Sequence, residues 1–132
     1  VVTDRREIAA EDFFQGMFKT PLEADEVITS VRFPVPDSAA YSKFANPASK
    51  YAIAGVMVAR NGTDVKVAVT GAGTGVFRAT AFEEALAGDF SAAALDGASI
   101  SADGLVSDTD ASAKYRAHLV GVMARRAVEA CG

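Results

Sequence analysis

The 132-residue chain has no tryptophan, one cysteine, one histidine and four prolines. A lone Cys131 can form neither an internal disulfide nor a thiolate metal cluster. Nothing therefore points to an oxidising compartment, and the expected location is cytoplasmic. Cys131 and the single His118 do not stand at ligand spacing, so no metal site is expected. No apolar run approaches the roughly 18 residues that a membrane span needs. Lysines and arginines are scattered without a basic stripe and the net charge is −4, which argues against a nucleic-acid partner. An initiating methionine is also missing. Val1-Val2 and Ile8 read as strand residues without their context, so residues 1–132 are expected to be a single domain cut from a longer chain.

What is present is apolar material. Half of the residues are hydrophobic, eight of them phenylalanines, enough for a real core. Residues 9–16 read as a short helical turn with an acidic start. "EVITSVRFPVP" alternates, with Val27, Thr29, Val31 and Phe33 on one side, until Pro34 and Pro36 stop it. "YAIAGVMVAR" and "DVKVAVTGAG" flank Asn61-Gly62, a pair that favours a tight hairpin turn. The first of these is apolar on nearly both faces and should be a central strand. With the strands near 27–33 and 40–45 they make an antiparallel sheet of three or four strands. Helices follow. Thr80 with Glu83 forms a capping-box pattern, and Gly88 ends that helix. A short helix follows Ser91, and residues 97–109 read as loop. Asp110 is placed to cap a last helix, in which Tyr115, Leu119, Val122, Met123 and Ala127 form one stripe. Strands first and helices after predicts an α+β fold, with about three helices covering one face of the sheet.

Few residues suggest chemistry. "VAVTGAGTG" invites a dinucleotide-binding reading, but Val76 stands where the fingerprint needs a glycine, and the helix opens too late to meet a pyrophosphate. His118 is expected on the exposed side of the last helix. The acidic pairs Glu11-Asp12, Asp25-Glu26 and Glu83-Glu84 sit at turns and helix starts, where acids serve structure. No catalytic residue is assigned. Lys43 and Tyr51 differ, because they bracket the break in "YSKFANPASKYAIAG". An ammonium and a phenol beside a loop could meet a ligand. They could equally be a solvated strand lysine and an ordinary strand aromatic.

Three blocks, "AEDFFQGMFKTPLEADEVITSVRFPVP", "YSKFANPASKYAIAGV" and "SDTDASAKYRAHLVGVMARRAVE", stand in series. In their order and spacing the chain resembles the C-terminal domain of the FAD-binding (medium) subunit of molybdenum hydroxylases, the carbon monoxide dehydrogenase and xanthine dehydrogenase family. The resemblance implies a domain that closes over FAD held mainly by preceding subdomains, which this chain lacks. It implies electron transfer from a molybdenum cofactor on a large subunit, through [2Fe–2S] clusters on a small subunit, to an external acceptor. It places Lys43 and Tyr51 at the flavin. Between them the related subunits often carry several charges, whereas here only Lys50 is charged. The alternative is a non-catalytic α+β protein-interaction module.

Overall fold

In the computed structural model, which describes residues 1–132, the chain divides into two compact units, Val1–Val35 and Pro36–Gly132. The second is built on an antiparallel four-stranded sheet. Its strands are β3 (Ser38–Ala45), β4 (Ala52–Asn61), β5 (Asp64–Thr70) and β6 (Phe77–Arg78), in that spatial order. The apolar strand β4 lies in the interior of the sheet, as its two-sided pattern predicts. The turn joining β4 to β5 falls one residue later than the Asn-Gly rule suggests. Asn61 pairs with Asp64, so the two loop residues are Gly62 and Thr63. Gly62 takes the positive φ, +58°, that the first position of such a turn requires.

One face of this sheet carries the helices. Val56 and Val58 of β4, and Val65, Val67 and Val69 of β5, point into the core. They meet Phe82 and Leu86 of α2 (Thr80–Gly88), Leu95 of a 3₁₀ turn (Ala92–Leu95), and Leu119, Val120, Met123 and Ala127 of α3 (Ala113–Cys131). The predicted stripe on α3 is therefore the buried one at its centre, although Tyr115 at its start remains exposed. Ser91 accepts the amide of Ala94 and opens the 3₁₀ turn as a short helix after that residue requires.

Both predicted caps on the longer helices are corrected. Ser112, not Asp110, caps α3 by accepting the Tyr115 amide. Asp110 instead donates its amide to Asp108 Oδ1 in the turn before the helix. Thr80 makes no side-chain cap on α2, whose N-cap is Ala79. Glu83 is used elsewhere. Because β6 covers only the end of β5, the Val67 amide on that edge needs another acceptor, and Glu83 Oε1 takes it at 2.8 Å. The same carboxylate pairs with Arg78.

The first unit holds a second, two-stranded sheet of β1 (Val2–Thr3) and β2 (Ile28–Ser30), and a single-turn helix α1 (Ala10–Phe13). The strand expected over 27–33 thus exists, but it pairs with β1 and not with the main sheet, whose fourth strand is β6. Its alternation has no buried side. Val27, Ile28, Val31 and Phe33 are all exposed. The unit is held by a polar knot. Arg6 grips Glu26 through Nε and Nη2 at 2.9 and 2.8 Å, and Thr3 Oγ1 donates to Glu26 Oε1 at 2.8 Å.

Candidate functional site

The helix-free face of the main sheet follows from strand alternation. On β3 the Ser42 hydroxyl reaches Met123 of α3, and Phe44 packs edge-on against Tyr115 of α3. Even-numbered residues therefore face the helices, and Tyr41 and Lys43 face away. Across the ladder Lys43 stands opposite Gly55 and Gly55 opposite Thr70. Tyr41 leans over Gly55, and its hydroxyl lies 3.2 Å from Thr70 Oγ1. A Cβ on Gly55 would sit 2.2 Å from that phenolic oxygen, so the crossing needs a residue without a side chain.

Lys43 and Tyr51 flank the loop between β3 and β4. Asn46 organises this loop. Its Oδ1 accepts the amides of Ala48 and Ser49 at 2.9 and 3.1 Å, an Asx-type turn carried on Asn-Pro. Its backbone amide donates to the Tyr51 carbonyl and its carbonyl accepts from Lys50. Lys50 is held at a φ of +64°, the left-handed region that a side chain rarely occupies. The Lys50 carbonyl accepts Lys43 Nζ at 3.1 Å. The structure thus ties the Lys43 ammonium to the residue next to Tyr51, whose side chain is 80 % exposed. One of three ammonium donors is used by the loop, which leaves two for a ligand.

Arg116 went unnoticed in the sequence. It is buried in α3, and its guanidinium donates to the carbonyls of Ile53 at 2.6 Å and Gly71 at 3.1 Å. Its Nη2 also forks onto both oxygens of Asp108, at 2.8 and 2.7 Å. One side chain thereby braces the start of β4, the exit of β5 and the loop before α3. The Ala111 amide and this guanidinium hold the Asp108 carboxyl below its ordinary range. A signal was available, since Arg116 stands three residues before Leu119 on the buried stripe.

The glycine-rich stretch after β5 spends two carbonyls and a bridge on structure. The Gly71 carbonyl goes to Arg116, the Ala72 carbonyl to the Val106 amide, and Gly73 bridges to Leu105. All ladders are antiparallel, so the parallel order of a dinucleotide-binding unit is absent. His118 is exposed on α3 and stacks on Tyr115 at 6.4 Å. No group of three or more metal-ligating side chains forms, and no helix is long and apolar enough to cross a membrane.

A flavin offers a flat ring, carbonyl and ring-nitrogen acceptors, and phosphates. The residues present fit part of that description. An ammonium with spare donors and an exposed aromatic suit an edge or a face of the ring. The Gly71–Gly75 stretch joins two antiparallel strands and does not open a helix onto a diphosphate.

Residues 39–131 match the family described as CO dehydrogenase flavoprotein C-terminal domain. The chain is 35 % identical over 141 residues to the nicotine 6-hydroxylase medium subunit of Paenarthrobacter nicotinovorans, covering 99 % of this chain and 50 % of that one. It is 33 % identical over 136 residues to the carbon monoxide dehydrogenase medium chain of Afipia carboxidovorans, covering 94 % and 47 %. It superposes on a chain of reconstituted CO dehydrogenase from Oligotropha carboxidovorans with a TM-score of 0.78 and 30 % identity, over 96 % of this chain and 48 % of the other. The chain spans about half the length of the curated relatives it matches.

Proposed function

The chain belongs to the CO dehydrogenase flavoprotein C-terminal domain family, and from that premise we propose that it closes over FAD in the medium subunit of a molybdenum hydroxylase. Residues 1–132 are the C-terminal domain of that longer subunit, and the preceding FAD-binding region supplies the diphosphate loops. The partners are an iron–sulfur small subunit with [2Fe–2S] clusters and a large subunit with the molybdenum cofactor. With FAD bound, the subunit would support electron transfer from the molybdenum centre, via the [2Fe–2S] clusters, to an external acceptor. When bound, FAD supplies that redox chemistry; the protein supplies position and electrostatics.

The observation that carries the reading is the coupling of Lys43 to the Tyr51 loop. Lys43 Nζ, 3.1 Å from the Lys50 carbonyl, sets a positive charge at the helix-free face while fixing the strained residue beside Tyr51. Tyr51 is exposed and free to cover an aromatic ring. In this role Lys43 is a donor and counter-charge, and Tyr51 limits water at the ring. No acid or base in this chain is needed. Tyr51→Ala in the full subunit is expected to change the flavin absorbance or its potential; unchanged spectrum, potential and turnover would remove Tyr51 from the site.

A second reading, a protein-interaction module, draws on the first unit. Phe18, Phe33 and Val35 there are almost wholly exposed, a large apolar display for so small a unit. Silent Lys43→Ala and Tyr51→Ala variants would favour it.

A further inference from the structure

We propose that the Tyr41–Thr70 hydroxyl pair, seated over Gly55, is an additional hydrogen-bonding contact to the bound flavin, beside Lys43. The inference deepens the flavin reading and rests on it.

The pair is built, and no contact inside the chain uses up its capacity. Tyr41 and Lys43 are two residues apart on β3 and so share the helix-free face. A tyrosine side chain there would ordinarily stand clear of the sheet. This one lies across the interior strand, because Gly55 offers no Cβ, and it meets the hydroxyl of Thr70 on the far side. The geometry allows either oxygen to donate in the 3.2 Å bond. Two hydroxyls sharing one hydrogen bond keep one proton and several lone pairs unspent. Tyr41 is 49 % exposed, so the pair is open to a ligand. Lys43, opposite Gly55 in the ladder, lies on the same face, with its ammonium turned to the Lys50 carbonyl. An extended acceptor is the chemistry such a face receives, because the ammonium and the hydroxyl both donate.

Three variants of the full-length subunit, in the assembled enzyme, test this. Tyr41→Phe keeps the ring and removes the hydroxyl. Thr70→Val keeps the shape and removes the partner. Gly55→Ala keeps both hydroxyls and pushes the ring off its seat. FAD dissociation constants and the visible flavin spectrum are measured for each. Tyr41→Phe is expected to raise the dissociation constant roughly two- to tenfold, the worth of one hydrogen bond, and to alter the flavin absorption band. Gly55→Ala is expected to reproduce that effect, and Thr70→Val to give a smaller change in the same direction. Wild-type affinity and spectrum in all three, with Lys43→Ala and Tyr51→Ala still affecting the flavin, would overturn this inference alone. Silence in all five variants would overturn the flavin reading and this inference with it.

Discussion

Glu26 illustrates what a single covered carboxylate does in so small a unit. Its side chain is fully buried and accepts from Thr3, from Arg6 twice and from the Glu23 amide. The Arg6 guanidinium, then the Glu23 amide, hold its carboxyl down at about 2, against an ordinary 4.5. A depressed carboxyl stabilises the fold fully above the unfolded-chain value, and that contribution is lost as pH falls towards the folded value. Stability should therefore decline between about pH 4.5 and 2. Urea midpoints measured across this window should fall less steeply in Glu26→Gln than in the wild type. Part of the slope should remain, because Asp108 and Glu83 are also lowered. For Glu83 burial pushes the other way, but Arg78 and the Val67 amide outweigh it. Residues of this kind were only half legible. Asp25-Glu26 reads correctly as structural, yet the partners of Glu26, Thr3 and Arg6, lie 23 and 20 positions away. Arg116 was hidden for the same reason. Its four acceptor contacts come from three separate segments, and no local pattern joins them.

Among the elements, the two glycines that bound β5 make different demands. Gly62 has a positive φ but open space around its missing Cβ. Gly71 has a φ of +74° and would place a Cβ 2.2 Å from the Ala52 carbonyl oxygen, which is backbone and cannot turn aside. Gly62→Ala should thus cost about 1 kcal/mol, the left-handed penalty alone. Gly71→Ala should cost clearly more, since it adds a displacement of β4 to the same penalty. Chemical denaturation of the two variants separates these cases. The hairpin itself was legible, because Asn-Gly between two apolar runs leaves few other structures. Its one-residue offset was not, since either Asn61 or Gly62 could open the turn. The pairing of residues 27–33 was illegible for a firmer reason. Alternation reports that a segment is extended, not which strand lies beside it, and its partner β1 is only two residues long. The α2 cap failed because Glu83 had a better use, an edge amide on β5 that sequence spacing does not reveal.

Over the whole molecule, composition and element order gave the α+β class, and the helices gather on one sheet face as expected. The candidate site was legible only as Lys43 and Tyr51 flanking a break; their tie through the Lys50 carbonyl depends on a φ that sequence does not disclose. Because the glycine-rich stretch joins two antiparallel strands and does not open a helix onto a pyrophosphate, the isolated 132 residues should bind FAD weakly or not at all. Titration followed by flavin fluorescence checks this, and tight stoichiometric binding would refute the proposed sharing of the cofactor. The Arg116 clamp also bears on how long the domain stays folded. It joins Ile53, Gly71 and Asp108 to one helix, so it can close only after β4, β5 and α3 have all assembled. If the clamp closes after the folding transition state, weakening it leaves the folding rate nearly unchanged while accelerating unfolding. Arg116→Lys, which keeps the charge but loses the fork, should accordingly move the unfolding limb of a stopped-flow chevron and spare the refolding limb. The buried arginine would then act as a timer on the native state, lengthening its lifetime without hastening its formation.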